Sequence, residues 1–131
     1  MLNDGKYTCV LCSGDKTYTS TERGIKPLID LISSGDDFRG FSAADKIVGK
    51  AAAMLYIVLG VCEVYSPVMS EAAICILSKN GIACNYKVSV TQIINRKGTA
   101  ICPMEETVQS IDDPQKALSA LKEKICTMNV Q

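Results

Sequence analysis

Asn95-Arg96-Lys97-Gly98-Thr99 is a cation-rich turn, and a thiol follows it in Cys102-Pro103-Met104-Glu105-Glu106. Proline suits the first position of a helix and Glu105 falls near its third, so Cys102 stands at an N-cap. A thiol at a helix amino terminus close to arginine or lysine has its pKa lowered below about 8.5 and becomes a nucleophile. Glu105 and Glu106 oppose that effect, because nearby carboxylates disfavour a thiolate. Cys102 is therefore either a nucleophile or a structural or ligand-contacting cysteine. Arg96, with Asn95 beside it, can grip a phosphate or carboxylate through two parallel hydrogen bonds. A plain polar hairpin turn is the alternative.

Asp45-Lys46-Ile47-Val48-Gly49-Lys50 is the second constellation. Ser42 and Asp45 resemble a capping box, which predicts a helix from about Ala43 to Val58. On such a helix Lys46 and Lys50 share a face, with Asp45 beside them. Backbone donors and the dipole at that end favour an anion, so the pair reads as a phosphate or carboxylate site with Asp45 as general base or nucleophile. A solvated face with a capping carboxylate is an equally good reading. Gly49 costs a helix about 1 kcal/mol relative to alanine. That cost points to close backbone packing or room for a ligand.

The 131 residues contain no histidine. Ser-His-Asp and Cys-His catalysis are excluded, and acid–base work falls to carboxylates, lysine, tyrosine or a thiol. Fourteen basic and fourteen acidic side chains cancel, so no general affinity for nucleic acid is expected. Met1 to Lys6 has no apolar core and the uncharged run between Lys50 and Glu63 is too short for a membrane span, so the cytoplasm is the default. Seven cysteines are an odd number for a disulfide framework. Cys62, Cys75, Cys84 and Cys126 lie within apolar patterns and read as core filling. Cys9-Val10-Leu11-Cys12 has zinc-knuckle spacing, but on a strand its two thiols point to opposite faces and no second pair follows.

The elements that must position these groups read as follows. Tyr7 to Ser13 and Thr17 to Thr21 form a hairpin about Gly14-Asp15-Lys16. A helix with Pro27 in its first turn turns Leu28, Ile29, Leu31 and Ile32 inward and ends at Gly35. After the Ala43 helix, whose stretch from Ala51 to Leu59 is apolar almost all round, Val61 to Tyr65 is a strand broken by Ser66-Pro67. Met69 to Ser78 is helical, Cys84 to Val90 is a strand, and Thr91 to Asn95 continues it or adds another. Met104 to Gln109 and a segment from Asp113-Pro114 are helices, the last with Ala117, Leu118, Leu121 and Ile125 inward. This order predicts one α/β domain over residues 1–131, a mixed sheet with helices on both faces.

Asp45 to Ala53 and Ile94 to Gly98, followed by Cys102 to Glu105, resemble the family catalogued as domain of unknown function 1893. The resemblance covers almost the whole chain and implies a three-layer cytidine-deaminase-like fold. A deaminase carries a His- or Cys-x-Glu motif at one helix start and Pro-Cys-x-x-Cys at the next. Here Ala43-Ala44-Asp45-Lys46 and Ser66-Pro67-Val68-Met69-Ser70-Glu71 stand in those places, with neither ligand set. The resemblance thus implies a zinc-free protein without hydrolytic deamination, whose cleft is lined by Asp45, Lys46, Ser70 and Glu71 and covered by Arg96 to Glu105. The expected function is binding of a phosphorylated small molecule such as a nucleotide, through Lys46, Lys50 and Arg96, with no cofactor. The alternatives are a thiol-dependent transferase using Cys102 and a non-catalytic regulatory domain that forms a homo-oligomer.

Overall fold

Gly14, at φ +55°, turns β1 (Cys9–Ser13) back on β2 (Lys16–Ser20) as an antiparallel hairpin. The computed structural model describes residues 9–14, 16–20, 25–35, 37–91 and 103–130, with the backbone alone at 103 and 127–130. Helix α1 (Lys26–Ser34) follows, with Pro27 in its first turn and Gly35 as its left-handed cap. Then come β3 (Ser42–Asp45), β4 (Ile47–Val48), α2 (Lys50–Leu59) and β5 (Glu63–Ser70). The remaining elements are α3 (Glu71–Lys79), β6 (Ala83–Val90), α4 (Pro103–Val108) and α5 (Pro114–Val130). Among the described residues, no helix is long and apolar enough to cross a membrane.

The six strands among the described residues form one mixed sheet. β1 lies antiparallel between β2 and β3. β3 and β4 run parallel to β5 along one of its edges in an unbroken register, and β6 runs parallel along the other. Leu11, Ala43, Val64, Val48 and Met69 turn into a core shared with the helices. α2 is at its centre, flanked by α1 and α3 with α4 and α5 also packed on it. Every residue from Ala51 to Tyr56 is buried, which is why its sequence is apolar on nearly all sides. Ala117, Leu118 and Leu121 of α5 are buried and Ile125 packs on the core, as the sequence pattern requires.

Three expectations are corrected. Ser42 to Val48 is strand, and the helix starts at Lys50. Ala43 and Val48 gain ladder pairing to β5 and a place in the core, and this pairing outweighs the local capping pattern. Pro67 lies inside β5 rather than ending it. Its missing N–H falls where the ladder skips on both sides, opposite the break between β3 and β4 and between the Ser66–Tyr86 and Val68–Val88 pairs. The Ser66 hydroxyl bridges the gap by donating to the Val68 carbonyl at 2.7 Å and accepting from its N–H at 3.3 Å. Finally, Cys62, Cys75 and Cys126 are exposed and Cys84 is half-buried, whereas Cys9 is buried. Cys9 is buried and Cys12 exposed, as strand alternation demands.

Leu55, fully buried on α2, should cost about 2–5 kcal/mol when changed to alanine. Cys75→Ala, on an exposed position of α3, should change stability by no more than about 0.5 kcal/mol. Urea unfolding of the two variants beside the parent chain checks both values.

Candidate functional site

Asp45 ends β3 beside Ser66, partway along β5, and β4 continues the parallel pairing beyond it. Asp45 Oδ2 accepts a hydrogen bond of 2.8 Å from the Tyr56 hydroxyl on α2. The Tyr56 oxygen lies 3.2 Å from Cys9 Sγ on β1, and Cys9 is the cross-strand partner of Asp45. The single hydroxyl proton of Tyr56 is committed to Asp45, so Cys9 S–H donates to Tyr56 and the bonds run in one direction. Asp45 as a residue is only half-buried, but its carboxyl ends among these groups. Burial pushes its pKa up from 3.8 to about 7, against the opposing hydrogen bonds from Tyr56 and the N–H groups of Ile47 and Lys46. Burial, and then the Asp45 charge, push the Cys9 thiol up to about 12. Burial pushes the Tyr56 hydroxyl well above its usual 10. Asp45 can therefore take or release a proton near neutrality, while the buried Cys9 thiol is inert as a nucleophile.

The amino terminus of α2 is already filled. Gly49 is its N-cap and offers no side chain. Glu105, from α4, supplies the cap: Oε1 accepts from Lys50 N at 2.7 Å and Oε2 from Ala51 N at 2.8 Å. A Cβ on Gly49 would collide with that carboxylate, so the glycine serves close approach. Burial raises the Glu105 pKa, and the two N–H groups and the Lys50 charge oppose it. The anion expected at this helix end is thus a side chain of the protein itself. Lys50 Nζ turns towards the turn between α4 and α5, donating to Asp112 Oδ1 at 3.2 Å and the Gln109 carbonyl at 3.3 Å.

The other expected residues divide in two. Lys46 is exposed on the break between β3 and β4, so it shares no helix face with Lys50. Ser70 is buried and caps α3 by accepting from Ala73 N at 3.1 Å, with exposed Glu71 beginning that helix. The register sets Ser70 beside Gly49, so the starts of α2 and α3 are neighbours. Ala43–Asp45 and Ser66-Pro67 lie in strands, not at helix starts as the deaminase comparison expected. No group of three His, Cys, Asp or Glu side chains among the described residues is placed to hold a metal ion. Asn95, Arg96 and Cys102 lie outside the described residues. The sequence reading missed Tyr56 and Cys9. The available signal was a lone hydroxyl within the apolar run from Ala51 to Leu59, since a buried tyrosine needs a partner.

Two outcomes follow from this geometry. The unfolded chain loses the Asp45 proton near pH 4 and the native chain keeps it until about pH 7, so this group lowers stability as pH rises across that window. Asp45→Asn, whose amide carbonyl still accepts from Tyr56, should match the parent chain near pH 4 and exceed it above pH 7 by on the order of 3 kcal/mol. Parallel stability curves for the two chains at pH 4, 6 and 8 would refute this. Glu105→Ala and Gly49→Ala should each cost about 1–3 kcal/mol by losing the same two hydrogen bonds. A double-mutant cycle in urea should then give a combined cost well short of the sum.

The family model described as domain of unknown function (DUF1893), TM1506, matches residues 1–125. No curated protein matches the chain. Among solved structures, the crystal structure of a DUF1893 family protein, TM1506, from Thermotoga maritima superposes with a TM-score of 0.86 at 25% identity. The match covers 94% of this chain and 84% of that one. With a mixed sheet and five helices among the described residues, and a family model spanning nearly its whole length, this chain belongs to the DUF1893 family.

Proposed function

We propose that the protein binds a phosphorylated small molecule, with nucleotides as the first class to test, at the carboxyl end of β3. Asp45 carries a proton there, and Lys46 and Arg96 contact the phosphates. The observation that carries this reading is the Asp45 carboxyl, desolvated against Tyr56 and titrating at about 7 in a chain without histidine. A fold that holds a carboxyl in this costly state does so most often where the group has chemistry to perform. Lys50 leaves the phosphate set because its ammonium is bound to Asp112 and Gln109. An antiparallel hairpin followed by helix-linked parallel strands also supports a deaminase-like frame.

Calorimetry with nucleoside mono-, di- and triphosphates, beside the parent nucleosides, tests the reading. Phosphorylated compounds should bind and the bare nucleosides should bind more weakly. Lys46→Ala and Arg96→Ala should each weaken binding about tenfold. Asp45→Asn should flatten its dependence on pH between 6 and 8. No binding heat from any phosphorylated compound, or affinities indifferent to both cation substitutions, would reject it.

A further inference from the structure

A cavity of about 330 Å³ opens beside the hairpin, lined by Lys16, Thr17 and Tyr18 of β2 and by Asp37, Phe38 and Phe41 of the segment before β3. Tyr18 is level with Leu11, a core residue, so strand alternation sets Tyr18 and Lys16 on the core side of the sheet. The apolar wall of the cavity is made of rings. Phe38 and Phe41 are buried, and Tyr18 is 42% exposed. Tyr18 and Phe41 both stand nearly edge-on to Phe38, at 83° and 74°, with ring centroids 6.3 and 5.2 Å from it. This wall is fixed by the backbone. Phe41 N donates to the Phe38 carbonyl at 3.1 Å, and the Phe41 carbonyl accepts from Cys62 N at 2.8 Å.

The polar rim decides the sign of a guest. A carboxylate beside a group of rings would by itself attract a cation, but Asp37 is already engaged. Arg39 Nε and Nη2 donate to its two carboxylate oxygens at 3.0 Å each, and the Arg39 backbone N–H adds a third bond of 3.0 Å. Those hydrogen bonds, helped by the Arg39 and Lys16 charges, hold the Asp37 carboxyl down at about 2. Lys16 is exposed and forms no ion pair with another described residue. Two cations and one carboxylate leave the rim one positive charge, and it resides on the Lys16 ammonium.

The geometry points to a binding site for a small aromatic acid, a single ring bearing one carboxylate, with the ring against Tyr18 and Phe38 and the carboxylate on Lys16. Ligand pockets usually measure about 300–1,000 Å³, and a cavity at the lower end of that range suits one ring and little more. An aliphatic acid of the same size would forgo the contacts between rings. An aromatic amine would meet the unpaired ammonium of Lys16. The site is separate from that of Asp45. Asp45 is level with Cys9 and, through it, with Ser20, which stands four residues and about 13 Å along β2 from Lys16. Neither site depends on the other.

Amide NMR spectra of the full chain, titrated with phenylacetate, read the site residue by residue. Signals of Lys16 to Tyr18 and of Asp37 to Phe41 should shift, with a dissociation constant of about 1 mM. Phenylacetamide lacks the charge, phenethylamine reverses it and cyclohexylacetate lacks the aromatic ring. Each should bind at least about fivefold more weakly than phenylacetate. Lys16→Gln, at an exposed position, should weaken phenylacetate about tenfold and leave phenylacetamide unchanged, with the spectrum elsewhere showing that the variant is folded. Tyr18→Leu keeps apolar bulk without the ring and should weaken phenylacetate about fivefold. No shift in the two segments at about 10 mM phenylacetate overturns the proposal. So does phenethylamine binding as tightly as phenylacetate, an affinity for phenylacetate indifferent to Lys16→Gln, or shifts confined to the residues around Asp45 and Lys46.

Discussion

The carboxylate of Glu105 on the first turn of α2 ties the two halves of this molecule together. Two N–H groups at the start of the central helix find their acceptor 55 and 54 positions further along the chain. A helix end left bare inside the protein would forfeit both bonds, and neither Gly49 nor Lys50 can supply a local cap. The contact therefore fixes where α4 lies, and α4 with the turn after it receives the Lys50 ammonium. It also accounts for Gly49, which no other residue could replace without displacing the carboxylate.

With that anion position filled from within, the carboxyl pushed towards neutrality is that of Asp45, on β3. Three elements meet there: β1 brings Cys9, β3 brings Asp45 and α2 brings Tyr56. Their hydrogen bonds run one way and terminate on a carboxyl held neutral by burial until about pH 7. A protein without histidine has few means of moving a proton at neutral pH, and a buried carboxyl is one of them. The arrangement works against stability, which is the usual sign of a group retained for function.

Much of the local structure was legible. Gly14, Pro27, Gly35 and Pro114 mark turns and helix ends through their own backbone preferences, and the structure puts the hairpin, α1, α3 and α5 close to where those residues indicate. Asp45 was singled out from the sequence, but on the wrong element. Ser42 to Asp45 satisfies a capping pattern, yet the same residues, with Ile47 and Val48 beyond them, pair with β5 in the sheet. The cysteines misled for a related reason. An apolar neighbourhood in sequence does not say which face of a helix or strand a thiol occupies, and Cys75 and Cys126 occupy the outer one.

By itself, the sequence determined the α/β class, the positions of most turns and the absence of imidazole chemistry, because these follow from backbone preferences, periodicity and composition. It also determined that α2 is buried, since a run from Ala51 to Leu59 with only one polar atom has no face for water. Only the tertiary structure decided that Lys50 serves Asp112, that Glu105 fills the start of α2, and that Cys9 and Tyr56 join Asp45. These contacts link residues 11 to 62 positions apart. No local pattern encodes such pairings, which exist only once the sheet and the central helix have packed together.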